Sequence, residues 1–431
     1  MRMTLDGAAA VERELLAAPL GFKGAYLTEL WQTVVRLRAG GAEGIGLGVQ
    51  SVLWSDERVF AAYSELHGNT LMHQLTRHAL QLAGGLTFRT PPELLDELFA
   101  PVYAYGRKVA GEALKPTFAL SALAAIDHAA WMLHAAATGA RTFDALLPEE
   151  AKPALQGRQR ALACMPLISY GMSEDAIAAL LRQGHYTYKI KLGHDPDQDG
   201  DRDKMLAWDM RRLAAVHRLA TASAGNGELD GRIAYYLDAN GRYDSRDRLL
   251  RLFEYADRIG ALGHIVLFEE PFPAERFDSV AGLPVRMAAD ESVASVQSLL
   301  DRIDLGYTVV ALMPTAKTMS VSLRIAAAAH ARGVDAYCSD MTANPLLADW
   351  CKNLAARLQP LSGSAEGAME SNGAQFYLHW ERMRGYHPRG DAPWTATGNG
   401  RFVLDEAFYE TGGGIFDRAA HYEEVVNGGR K

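Results

Sequence analysis

Cysteine is scarce in this chain: Cys164, Cys338 and Cys351 are the only three in 431 residues. Their spacing gives no CxxC pair and no disulfide framework, which excludes a small disulfide-stapled secreted module and predicts a reducing compartment. Long apolar runs are missing too. Residues 123–126 and 325–329 are among the longest, far short of the roughly 20 residues a membrane span needs. The first residues, MRMTLDGAAAVERELL, carry Asp6, Glu12 and Glu14 in an only mildly apolar stretch, unlike a secretory leader. A soluble, cytoplasmic chain with no membrane partner is expected. Positive charge is not in excess either. The net charge of -8 argues against nucleic acid as the main partner, because phosphate binding needs a basic surface. A local cationic pocket for a small anion remains compatible with it.

What is present is a large apolar fraction, 48% of the residues, enough for more than one compact unit. Residues 1–157 contain no repeat. Residues 31–38 read as a strand, GGAEGIGLG as a turn, and residues 49–54 as a second strand. Helical patterns follow over 92–109 and 120–137; in the latter Leu123, Ile126, Ala130 and Leu133 recur at spacings of three and four. This predicts an α+β domain. From residue 158 short apolar runs alternate with amphipathic stretches. The runs are 162–169, 186–192, 233–238, 264–269, 285–290, 308–313 and 334–339. Ser173 is a candidate N-cap and Gly184 a candidate stop for the first intervening helix. Such alternation predicts parallel βαβ units, and seven of them make a closed (β/α)8 barrel over residues 158–370 the leading choice. The eighth strand is placed at 360–367. Residues 371–431, aromatic and Gly-rich with a hairpin-like 401–404, are expected to return to the first domain and to offer aromatic side chains for a homo-oligomer contact.

In such a barrel the site lies at the C-terminal ends of the strands, and charged residues gather there in order. Strand two ends Tyr188-Lys189-Ile190-Lys191, strand three Leu237-Asp238-Ala239-Asn240, strand four Phe268-Glu269-Glu270-Pro271, strand five Ala289-Asp290-Glu291-Ser292, and Lys317 follows strand six. Alone, KxK is an ordinary solvated strand end, EEP a common helix start and ADES an ordinary cap. As a series on successive strands they converge on one point.

This ordered series resembles the muconate-lactonizing branch of the enolase superfamily, over most of the chain. The resemblance implies an α/β fold, a TIM-like barrel with an N-terminal α+β capping domain. It implies one Mg2+ ion, with Mn2+ as a substitute, held by Asp238, Glu269 and Asp290. Oxygen ligands on a rigid frame suit such a hard cation. It implies Lys191 and Lys317 as acid/base catalysts on opposite sides of a small-molecule carboxylate, whose α-proton is removed to give a stabilised enediolate. Lys189 and Lys191 share one strand face, and the repulsion between them is expected to lower a lysine pKa. Lys189, Asn240, Glu270 and Glu291 are expected to support the first set. Lys23, Tyr26, Trp54 and Asp340 are candidates for contacting the distal part of the substrate. The outcome is left open among racemisation or epimerisation, cycloisomerisation and β-elimination.

Several residues depart from the family pattern. Lys317 is followed by Thr318 and Met319, not glycines. Strand seven ends Cys338-Ser339-Asp340 in place of a histidine, which disfavours the His–Asp racemase branch. Near strand eight Ser364, Glu366 and Glu370 stand where dipeptide epimerases carry Asp-x-Asp. The alternative is therefore a non-catalytic or catalytically altered binding protein on the same scaffold. Two other motifs carry less. Gly44, Gly46 and Gly48 lead into a strand, not a helix, and make a poor dinucleotide loop; His67, His73 and His78 do not share a helical face.

Overall fold

Two tight reversals shape the start of the chain. Lys23 and Gly24 have positive φ (52° and 81°), and so do Gly40 and Gly41 (58° and 86°). Between them they fold Asp6–Phe22, Ala25–Ala39 and Ala42–Gln50 into a three-stranded antiparallel sheet. The GGAEGIGLG segment is therefore a turn only at its first two glycines. Its other glycines lie in the third strand, flat against the helix Pro116–Thr138. A Cβ on Gly46 would stand 2.1 Å from the Ala129 nitrogen and 2.2 Å from the Ala125 carbonyl oxygen. Glycine is needed here so that backbone can pack on backbone. The strand expected at 49–54 ends at Gln50, and Val52–Ser55 is a buried helical turn. Helix Pro116–Thr138 is by length and composition long enough to cross a membrane, contrary to the reading of short apolar runs; it is a core helix, buried along most of its length. The structure, a computed structural model, describes residues 5–225 and 233–428.

The barrel strands are Ala161–Met165 with Leu167–Ile168, Thr187–Lys191, Ala234–Asp238, Ile265–Glu269, Met287–Ala289, Val309–Leu312, Asp335–Cys338 and Ala368–Glu370. The first is broken at Pro166, which has no N–H to give to a ladder. Its first half pairs parallel with the eighth strand and its second half with the second strand, so this one broken strand closes the barrel. The eighth strand lies at Ala368–Glu370, not at 360–367. That earlier stretch holds Pro360, Gly363 (φ 90°) and Gly367 and is a loop. Among the described residues no helix links the fourth and fifth strands.

Inside the barrel, Met165, Tyr236, Leu267, Ala288, Val309, Ala311 and Tyr337 pack together. Side chains two residues apart on a strand share a face. Asp238, Glu269, Asp290 and Ser339 each follow such an inward residue by two, so they emerge at the mouth above this apolar plug.

The C-terminal segment touches both units. Arg401–Val403 pairs antiparallel with the first barrel strand. Arg382 binds Glu14, and His421 binds Glu12, each at 2.7 Å. Of the aromatic residues expected to offer a contact patch, Phe376, Tyr377, Trp394, Phe402, Phe408 and Tyr409 are buried within the chain, and Trp380 and Tyr386 are partly exposed. Cap and barrel are also joined at Ser320, whose N–H donates to Asp127 at 3.0 Å and whose hydroxyl accepts from Trp131 Nε1 at 3.1 Å.

Candidate active site

The parallel register sets Lys191 beside Asp238 and Asp238 beside Glu269. All three are buried, as are Lys189, Asp290 and Lys317. Charge burial on this scale is tolerated only with pairing, and each ammonium has found carboxylates. Lys189 Nζ donates to Glu269 (2.9 Å), Glu370 (2.9 Å) and Ser339 Oγ (2.8 Å), with Asp238 at 3.2 Å. Lys191 Nζ donates to Asp238 and, at 3.0 Å, to Asn240 Oδ1. Lys317 Nζ pairs with Asp290 Oδ1 at 2.7 Å and donates to the carbonyls of Asp290 and Ala311 at 2.6 and 3.3 Å.

Burial works against ionising Asp238, but the charges of Lys191 and Lys189 win and hold its carboxyl at about 2. Glu269 moves the other way: burial and the negative charge of Asp238 push it well up. Lys189 corrects an expectation. Repulsion was to lower a lysine pKa here; instead, although burial opposes its charge, Glu269 and Glu370 raise Lys189 well above the usual range. Its ammonium stands as the countercharge to Glu269 and Glu370.

The supporting residues act on these. Glu270, with positive φ (38°), accepts from Asp290 N–H at 2.6 Å and from Ser292 Oγ at 3.0 Å, fixing the end of the fifth strand. Burial and Glu291 push its carboxyl up to about 7. Asn240 gives Nδ2 to Glu291 at 2.9 Å and its backbone N–H to Asp238 at 2.9 Å. Lys23 is not free for a substrate. Its Nζ is held by Trp54 O at 2.9 Å, Glu57 at 3.2 Å and Glu291 at 3.5 Å. It clamps the first reversal of the cap onto the barrel. Trp54 Nε1 reaches Asp290 Oδ2 at 3.3 Å. Tyr26 stands aside, more than a third exposed and edge-on to His194.

Between cap and barrel lies a cavity of about 30 Å³, room for a water or two. Leu20, Phe22, Leu27, Leu30 and Trp54 close it from the cap; Lys191, Asp340, Glu370 and Asn372 close it from the barrel. Lys191 lines it; Lys317, Lys23 and Tyr26 do not. Asp340 lines it with its oxygens already engaged: Oδ1 accepts from Met341 and Ala343 N–H (2.7 and 3.0 Å) and Oδ2 from Asn372 N–H (3.2 Å). Burial and nearby Glu370 push its carboxyl to about 6.

Sequence reasoning missed Tyr337, whose hydroxyl donates to Glu269, and Ser339, which donates to Glu370 at 2.7 Å. Alternation in strand seven would have found both. Glu370 was noticed only as a departure; misplacing the eighth strand hid that it ends that strand. Glu366 lies elsewhere, paired with Arg401 at 2.9 Å.

The oxygen-only set Asp238, Glu269 and Asp290 has the chemistry a hard divalent cation takes. Among the described residues no three such side chains are drawn together into a ready metal cluster; ammonium groups occupy their oxygens.

Closed parallel barrel, antiparallel cap and a charged mouth define the class. Residues 171–368 match the Enolase C-terminal domain-like family. No curated protein matches it. Solved structures share the fold. A mandelate racemase/muconate lactonizing protein from Herpetosiphon aurantiacus is 18% identical, with 94% of this chain and 97% of that one covered at a TM-score of 0.66. A dipeptide epimerase from Enterococcus faecalis complexed with Mg and L-Leu-L-Tyr is 16% identical, with 86% and 90% covered at 0.60. A muconate lactonizing enzyme from Pseudomonas fluorescens complexed with muconolactone is 18% identical, with 85% and 88% covered at 0.58.

Proposed function

We propose that this chain is an enzyme that removes the proton next to the carboxylate of a small acid, with Lys191 as the base. The observation that carries the reading is the position of Lys191. It is the lysine that lines the cavity between cap and barrel, one strand away from Asp238. A divalent cation held by Asp238, Glu269 and Asp290 (Mg2+, or Mn2+ in its place) supplies positive charge beside the substrate carboxylate.

Lys191 takes the α-proton on Nζ once it is neutral, and Asn240 Oδ1 orients it. Lys189 keeps its charge and holds Glu269 and Glu370 in place. Leu20, Phe22, Leu27 and Trp54 exclude water above the reacting carbon. Because the cavity is small when the cap is clamped by Lys23, substrate entry requires the cap loop over residues 21–27 to lift. Lys317 is turned into Asp290 and two carbonyls, which favours chemistry with one proton-transferring lysine: β-elimination or cycloisomerisation. Racemisation or epimerisation is the second reading, favoured by the likeness to the dipeptide epimerase, and it requires Lys317 to leave Asp290.

The test is a screen in D2O of the purified protein with Mg2+ against acid sugars, N-acyl amino acids and dipeptides, read by mass spectrometry. At least one acid should gain deuterium at its α-carbon or lose a β-group. Binding without exchange or turnover across the panel would favour a non-catalytic binding protein.

A further inference from the structure

After the eighth strand the described residues form only short helices, none longer than seven residues. The chain runs through the short helix Trp380–Arg384 and the antiparallel strand Arg401–Val403. Between the first barrel helix, Glu174–Leu181, and the last, Pro345–Ala355, this leaves a cavity of about 440 Å³. Cys164 and Pro166 line it, alternating along the first strand with the inward Met165, so it lies outside the barrel wall. The active-site cavity lies on the other side of that wall.

Two cations line this outer cavity with donors to spare. Lys352 has a side chain only 3% exposed, yet its Nζ has one ion-pair partner, Asp349 at 2.7 Å. An ammonium carries three donors. The carboxylate is shared, since Asp349 also takes His387 Nε2 at 2.9 Å. Arg384 gives Nη1 to Glu381 and Nη2 to the Gly390 carbonyl, both at 2.8 Å, and its Nε–H is buried with no partner. Glu381 is largely exposed, so it offsets the guanidinium only weakly. Buried cationic N–H groups left without acceptors are costly, and a carboxylate satisfies them in pairs. Trp380, Leu180 and Phe402, whose ring lies 4.7 Å from Lys352 Nζ, form an apolar part of the wall; Gln183, His185, Gln375 and Thr395 line it as well.

We propose that this outer cavity is a second binding site, for a small carboxylate with a flat apolar body. Arg384 and Lys352 take the carboxylate, and Trp380 and Phe402 face the body. The proposal rests on no part of the active-site reading.

Benzoate titrated calorimetrically into the full-length protein in EDTA tests it, with benzyl alcohol and inorganic phosphate as the other arms. Saturable benzoate binding is expected, with little from either control. Arg384→Gln, at a partly exposed side chain, should weaken it at least tenfold, and Lys352→Met likewise. Thr397→Trp, which fills the mouth of the cavity without altering charge, should abolish it. Lys191→Ala should leave it unchanged. Absence of saturable binding, equal binding of phosphate, insensitivity to Arg384→Gln, or loss in Lys191→Ala would each overturn the proposal. If Lys352→Met does not fold, Arg384→Gln and Thr397→Trp decide.

Discussion

Lys191 and Lys317 are both buried at the barrel mouth, and each pairs with one of the three carboxylates proposed to hold a cation. They differ in what else they meet. Lys191 sits at the end of a strand, with Asn240 beside it, the Phe22 ring 5.2 Å away and the cavity in front. Lys317 comes from a one-turn helix, Pro314–Lys317, and all three of its contacts are oxygens of strands five and six. Position relative to the carboxylates is thus shared; access to the reacting space is not. In the reading proposed above, the enclosed Lys317 is a structural countercharge, and Lys191, which faces the cavity, transfers the proton.

The comparison can be broken most sharply by removing each lysine in turn. Lys191→Ala should lower turnover by about a hundredfold to ten-thousandfold, the range for a general base, while the protein still unfolds cooperatively in urea. Lys191→Arg should not restore it, because guanidinium stays protonated. Lys317→Ala should act chiefly on stability. It leaves Asp290 buried without its cation, a loss of about 3–5 kcal/mol, measurable in the same urea titration and partly relieved by added Mg2+.

Weaker effects sharpen the contrast from the cap side. Trp54→Phe removes the bond to Asp290 and should cost about 1.5 kcal/mol, the low end for a hydrogen bond to a charged group, with KM affected more than kcat. The joint at Asp127 should show in pH. Burial raises its carboxyl from the ordinary 3.8 to about 6, so the folded state holds that proton more tightly than the unfolded one. Its contribution should be present at low pH and lost as pH rises between these values, and Asp127→Asn should flatten that part of the profile. The smallest expected signal is assembly. Leu15 and Leu378, adjacent and half-exposed, suit a homo-oligomer contact, and Leu378→Glu should shift light-scattering mass toward the monomer.

How far these features could be read from sequence differs between the two domains. Barrel strands two to seven are short apolar runs, separated by helices except between the fourth and fifth, and the structure places each within a residue or two of its expected position. Their carboxylates follow from period two. The long first strand, Asp6–Phe22, was invisible. AAAVERELLAA is rich in good helix formers, and only its pairing with Ala25–Ala39 makes it extended. Gly44, Gly46 and Gly48 read as a turn because the helix pressing on them is about 80 residues away. The eighth strand is three residues long, too short for periodicity. Lys191 was legible because strand geometry fixes where it points. The enclosure of Lys317 was not, since it depends on a turn whose carbonyl partners belong to other strands.

We propose that proton transfer runs through Lys191 and not through Lys317. The most direct test is the rate of α-deuterium uptake from D2O, with Mg2+, into the acid that wild-type protein exchanges, measured side by side in Lys191→Ala and Lys317→Ala. The account predicts uptake reduced at least about a hundredfold in the first and within a few-fold of wild type in the second, once both are confirmed folded. Uptake unchanged in Lys191→Ala, or abolished in a folded Lys317→Ala, would contradict it.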